Sequence, residues 1–199
     1  MLAGMSHQAS FSRNADRAIE LASAASYAAR RAGIPRLQAE AAVMEAHGLA
    51  LRGDDRNCIA ALNRAEQYFI RSAEDVPLWL SYFDEAYLSA KFGHALRDLR
   101  RPKDAERFAR GSLNMSEGYE RGRLFNSALL AGILADQGRV DEAVQHPGLA
   151  VKMSTEVRSG RTTAYLVDVH NRLLPYKNEG IVDSLFGAMK NVGVRTRVM

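Results

Sequence analysis

The chain has a single cysteine, Cys58, in 199 residues. That excludes an internal disulfide and any zinc site built on cysteines, and it suits a reducing cytoplasm. Proline occurs only 5 times and glycine 15 times, too rarely for a collagen-like or Pro-rich linker chain. No apolar run approaches the roughly 20 residues that a membrane-spanning helix needs. The first residues, MLAGMSHQASFSRNADR, lack the basic and apolar regions of a secretory signal. Charge of one sign is also scarce. Lys and Arg number 27 against 23 Asp and Glu, a mild excess unlike the dense basic stripe of a nucleic-acid-binding domain. Finally, β-branched runs are nearly missing. Gly193-Val194 and Tyr165-Leu166-Val167 look strand-like, and the second sits inside a helical pattern.

Ala, Leu, Arg and Glu dominate what remains, and their summed propensity favours helix almost everywhere. The content, 47% hydrophobic and 25% charged, is that of a soluble folded protein. About nine helices are expected. Asn14 or Ser12 caps the first clear one, which runs to Arg31 and stops at Gly33-Ile34-Pro35. Others are expected over 36–51, 56–71, 82–99, 103–114, from beyond Gly118 to 137, from Asp141, over 161–174 and over 181–191. His146-Pro147-Gly148 should kink or split the helix begun at Asp141, because proline removes a helical N–H. Residues 193–199 are expected to be a frayed tail.

The loops at Gly53, Arg100 and Gly138 share a surrounding pattern. Seven residues before each stands a small residue, Ala46, Gly93 or Ala131. Three residues later comes Leu49, Leu96 or Leu134. Five after the loop comes Cys58, Ala105 or Ala143, and twelve after it Ala65, Ser112 or Ala150. Small residues at these offsets let two helices approach closely while leucines fill between them. This is the skeleton of tetratricopeptide helical hairpins. The spacing is irregular, with Cys58 to Ala105 longer than Ala105 to Ala143, against an ideal of about 34 residues. The expected fold is therefore all-α: a right-handed superhelical solenoid of tetratricopeptide-like hairpins, forming a single domain over 1–192.

The segment VPLWLSYFDEAYLSAKFGHALRDLRRP, from Val76 to Pro102, resembles part of the tetratricopeptide-like C-terminal half of actinobacterial Xre-type helix-turn-helix regulators. Their pattern is close to PPWLxYFDEAELAGExGHCxRDLGRP. Trp79, Tyr82, Phe83, Asp84, Glu85, Ala86, Gly93, His94, Arg97, Asp98, Leu99, Arg101 and Pro102 match it. Tyr87, Ala95 and Arg100 stand where the pattern has Glu, Cys and Gly. Looser likeness extends over Met5–Ala9, Arg36–His47 and Leu173–Tyr176, so the resemblance covers most of the chain. No helix-turn-helix precedes the first repeat, and 1–9 read as only the tail of a helix. The resemblance thus implies a sensor or dimerisation half that lacks its DNA-binding part, through truncation or because it stands alone.

Five histidines are present, none in a metal-ligand spacing. His47 and His94 each follow the small residue of a first helix, a position facing the concave groove. The plainer reading is a hydrogen-bonding side chain within the superhelix; the functional one is a ligand contact. Trp79, Tyr82, Phe83 and Tyr87 share a helical face, which more often means core than recognition. Asp84-Glu85 opens a helix and is better explained by its dipole than by acid–base chemistry. The charged run from Arg97 to Asp104 reads as a solvated turn, except Arg97, whose position faces the groove. No nucleophile–base arrangement or phosphate loop marks an enzyme, and no cofactor or metal is implied.

Concave positions, counted from the small residue of each first helix, select Glu40, Val43 and His47, then Tyr87, Ala90, His94 and Arg97, then Phe125. Their mixture of aromatic faces, one carboxylate, one cation and two histidines suits a peptide, a small molecule or a protein segment rather than DNA. Arg97 could hold a carboxylate by two hydrogen bonds. The resemblance implies a regulatory role, coupling groove occupancy to a DNA-binding partner, in the cytoplasm and away from membranes. A free-standing adaptor for protein–protein contacts is the alternative. Apolar Met1-Leu2-Ala3 at an uncapped end points to self-association, as a homodimer or a soluble aggregate.

Overall fold

The computed structural model describes residues 1–72, 76–147, 151 and 159–194. Among them every regular element is helical. They are α1 (Leu2–Phe11), α2 (Ala15–Ala32), α3 (Pro35–Arg52), α4 (Asp55–Arg71), α5 (Glu85–Asp98), α6 (Pro102–Gly111), α7 (Glu120–Asp136), α8 (Val140–Gln145), α9 (Gly160–Leu173) and α10 (Gly180–Asn191). Short 3-10 turns cover Leu78–Leu80 and Leu174–Tyr176. No helix among the described residues is long and apolar enough to cross a membrane. The chain divides into two compact units, Met1–Phe108 and Ala109–Met199.

The helix starts follow local chemistry. Asn14 caps α2 by accepting from the Arg17 N–H, and Asp54 caps α4 by accepting from the Asn57 N–H. Pro35 opens α3, where its missing N–H costs nothing. Asp84 accepts from the Tyr87 N–H at 2.7 Å, so α5 begins at Glu85. The expected start at Tyr82 is three residues early, because the sequence there serves the cap and a preceding 3-10 turn. α8 ends at Gln145, where the His146-Pro147 break was expected; Gly148 lies outside the described residues, as do Ala150 and 195–199 of the expected tail.

The helix ends repeat one device. Gly53, Arg100 and Gly138 all have positive φ, at 77°, 57° and 73°. In each case the next residue's N–H reaches back to the leucine four residues before the turn: Asp54 to Leu49, Arg101 to Leu96, Arg139 to Leu134. The turn residue itself bonds one position further on, to Ala50, Arg97 and Ala135. This double bond pattern is a Schellman motif. A fourth copy ends the last helix at Gly193, φ 81°, where Val194 bonds Met189 and Gly193 bonds Lys190, and a fifth, not foreseen, stands at Arg13, φ 60°, where Asn14 bonds Ala9 and Arg13 bonds Ser10. Its frame is Ser6 before the turn, then Ala18 and Ala25 after it, all buried.

The small residues do what their size requires. Ala46, Ala131, Cys58, Ala105, Ala143, Ala65 and Ser112 are all fully buried, and Gly93 is buried with them. Leu49, Leu96 and Leu134 are buried too. Gly48 marks the closest approach of α3 to α2, since a Cβ there would stand 2.8 Å from Ile19 Cγ1.

In the first unit α1 packs on α2, α2 on α3 and α3 on α4, while α1 also touches α3 and α3 touches α5. The odd-numbered helices therefore make successive contacts. The aromatic face at the start of α5 is not wholly core. Phe83 is fully buried against Phe69, but Trp79 is 61% exposed and Tyr82 40%. All three stand ahead of the Asp84 cap, outside α5. In the second unit α7 packs on α8 and α9, and Arg172 of α9 joins Asp168 and Asp136.

Candidate functional site

The polar centre of the first unit lies on α1, α3 and α5. Along α5, Tyr87, Lys91, His94 and Asp98 follow at steps of four, three and four, which puts them on one stripe. Glu40, Val43 and His47 occupy the corresponding stripe of α3. His7 on α1 follows the small residue Ser6 as His47 follows Ala46 and His94 follows Gly93. The three imidazoles form a row: His7 to His47 has ring centroids 6.4 Å apart, and His47 stacks on His94 at 5.6 Å.

Each member is held. Ser6, buried, donates to the Ala18 carbonyl at 2.7 Å and fixes α1 on α2. The Lys91 ammonium lies 3.2 and 3.1 Å from the two ring nitrogens of His7 and 4.8 Å from the Tyr87 ring centre. Tyr82 donates its hydroxyl to Glu40 at 2.9 Å and meets Tyr87 edge-on. Arg36, at the start of α3, donates to the Phe83 carbonyl and lies over the Phe69 ring at 3.8 Å. Asp98 takes His47 Nε2 on one oxygen at 3.3 Å and Arg13 on the other at 3.2 Å.

The charges are set by burial and by these contacts. Burial pushes His47 below the usual histidine value, and the Asp98 hydrogen bond only partly restores it. His94 falls further, first through burial and then through Arg97, His47, Lys91 and His7. Burial alone would raise Asp98, but the His47 hydrogen bond and the Arg97 and Arg13 charges outweigh it and hold the carboxyl at about 2. Burial raises Glu40, against the pull of the Tyr82 hydroxyl. At neutral pH His47 is therefore a neutral ring donating from Nε2 to a carboxylate. Its Nδ1 is then a buried acceptor, and it has no hydrogen-bond partner.

The residues selected from the repeat spacing fall in two places. Glu40, Val43, His47, Ala90 and His94 are buried on α3 and α5, with Tyr87 and Arg97 half-buried on the same face of α5. Phe125 lies in the second unit, buried on α7, stacked on Tyr165 at 4.9 Å with Arg161 over its face at 4.3 Å. The spacing argument missed His7, Lys91, Tyr82 and Asp98. His7 had a signal, since Ser6-His7 repeats the small residue–histidine pair, but Ala9 stands where the other frames have leucine, and Arg13 rather than glycine makes the turn. Asp98 was read with a solvated turn; its side chain is only 7% exposed.

The site offers hydrogen-bond donors, cations and aromatic faces. No group of three or more His, Cys, Asp or Glu among the described residues is placed to hold a metal ion. The lone thiol, Cys58, is buried and pushed up to about 12 by that burial, so it is unreactive near neutral pH. Comparison with known proteins finds no family model, no curated protein and no solved structure that matches this chain.

Proposed function

We propose that the chain is a cytoplasmic tetratricopeptide-like solenoid that binds a short peptide or small amphipathic molecule on the face of α1, α3 and α5. Its role is regulatory, coupling occupancy of that face to a DNA-binding partner. The observation that carries the binding reading is the convergence of Glu40, His47, Tyr87, Lys91, His94 and Arg97 from two successive inner helices on one face. A row of this composition is costly to bury for stability alone, because each polar group must find a partner. Aromatic faces beside cations suit a ligand with an apolar body and a carboxylate. The link to transcription rests on the resemblance of 76–102 to Xre-type regulators. The four Schellman turns that join two helices, with their small-residue partners, support the repeat architecture.

A phage-displayed peptide library selected on the immobilised chain tests the binding reading. Related sequences should be enriched on the wild type, and their binding should fall at least tenfold on the double variant His94→Ala with Arg97→Ala, with helicity unchanged. Failure to enrich any sequence family, or undiminished binding by a helical variant, would overturn it. The regulatory arm is tested by fusing the chain behind a helix-turn-helix domain that represses a reporter. Peptide expression should then change repression. Binding without such a change leaves a protein–protein adaptor instead.

A further inference from the structure

The histidine row has a second property that needs no ligand. Three helices meet through imidazoles, and cations surround them. From the start of α1 comes the Met1 amino group, which faces Glu40, from α1 itself His7, and from the turn after it Arg13; from α3 come Glu40 and His47; from α5 come Lys91, His94, Arg97 and Asp98. Tyr82 and Tyr87 complete the surroundings through Glu40 and Lys91.

α1 is held mainly by small and polar side chains. Its buried residues are Ala3, Ser6 and Ser10, so it brings little apolar surface to the core. Its contacts are with α2 and α3, and through His7 with Lys91 of α5. Such an element sits at the low end of local stability. The Lys91–His7 contact works only while one ring nitrogen accepts. A protonated imidazole has two donors and no acceptor, and would present one cation to another about 3 Å away. Protons on His47 and His94 would add charges 5.6 Å apart between ring centres, beside Arg97 and Lys91. Only Asp98 and Glu40 oppose them.

We propose that His7, His47 and His94, with Lys91 as their cationic partner, form an acid-operated latch. It holds α1 on α3 and α5 while the rings are neutral and releases α1 when they take up protons.

The direction follows from linkage. His47 and His94 lie below their ordinary value when folded, so the open state binds protons first. The stability they lend is whole above the ordinary histidine value near 6.5 and is lost as pH falls from there toward their folded values. Glu40 works the other way, because its folded value is raised, but it acts nearer the carboxylate range. Asp98 contributes only below about 4.

Amide exchange read by mass spectrometry at pH 7.5 and 5.5, corrected for intrinsic rates, tests the latch on the whole chain. Closed-state protection of α1 should fall by up to about tenfold for each histidine engaged, while α7 keeps its protection. In the double variant His47→Gln with His94→Gln the response of α1 should flatten. If that variant is not helical, histidine proton resonances of the wild type decide the matter. At least two rings should titrate well below the ordinary value, in step with backbone signals of α1. Unchanged protection of α1, equal loss in α1 and α7, or rings titrating normally would each overturn the proposal.

Discussion

His47 on α3 and Arg13 after α1 divide one carboxylate between them: Asp98 at the end of α5 gives Oδ2 to the imidazole and Oδ1 to the guanidinium. One side chain thus fastens three segments of the first unit, and its 7% exposure means that little water shares the work.

Asp98→Ala leaves the His47 Nε2–H buried without its acceptor. The expected cost is about 1–3 kcal/mol in urea unfolding at pH 7. Because the folded carboxyl sits at about 2, below the ordinary 3.8, this contribution is complete above pH 4 or so and fades as pH falls toward 2. The gap between wild type and variant should therefore narrow across that window. A gap that stays constant would show that packing, not charge, sets the cost.

Arg100 occupies a left-handed turn where Gly53 and Gly138 stand in equivalent positions. A non-glycine residue there carries about 1–2 kcal/mol of strain, and glycine adds about 0.4–1 kcal/mol of unfolded-state entropy. Arg100→Gly should therefore stabilise by about 0.5–1 kcal/mol, read from the midpoint of denaturant unfolding. Gly53→Ala should cost about 1 kcal/mol by the same logic, and by that alone, since a Cβ at Gly53 meets no atom within 4 Å.

Two helical glycines separate propensity from packing. At Gly187 on α10 a Cβ meets nothing within 4 Å, so Gly187→Ala should stabilise by about 0.5–1 kcal/mol. At Gly48 the same methyl would meet Ile19 Cγ1 at 2.8 Å and the Ile19 backbone nitrogen at 3.2 Å. There the overpacking cost of about 1–3 kcal/mol outweighs the helical gain. Gly48→Ala should lower the melting temperature while Gly187→Ala raises it.

Cys58 should resist iodoacetamide at pH 8 in the folded chain and react fully in urea, since burial holds its thiol at about 12. Rapid alkylation without denaturant would mean that the α3–α4 hairpin opens locally.

Much of the fold is readable because its signals are local. Asn14, Asp54 and Pro35 begin helices for reasons confined to one turn, and Gly53 and Gly138 end them likewise. The small-residue offsets locate the buried positions because steric room, unlike charge, leaves little choice of residue. The site is less readable. Lys91 looks like any surface lysine until α1 places His7 beside it, and Asp98 looks like turn polarity until His47 and Arg13 reach it from 51 and 85 residues away. Such partnerships exist only in three dimensions. The turn at Arg13 is harder to read than that at Arg100, which also lacks glycine, because Ala9 stands where Leu96 stands in the other frame.

The recurrent turn also governs how the chain tolerates change in length. Each of the four copies that join two helices fixes the turn between them by bonds that close within six residues, so register is restored at every such turn and an insertion in one helix pair is not passed on to the next. The intervals from Arg13 to Gly53, Gly53 to Arg100 and Arg100 to Gly138 differ, yet the same bonds recur at all four. Lineages of such a chain could gain or lose a few residues between turns, and replace most outward side chains, without losing the helical pairing. What descent must preserve is a sparse set of volumes and one backbone handedness.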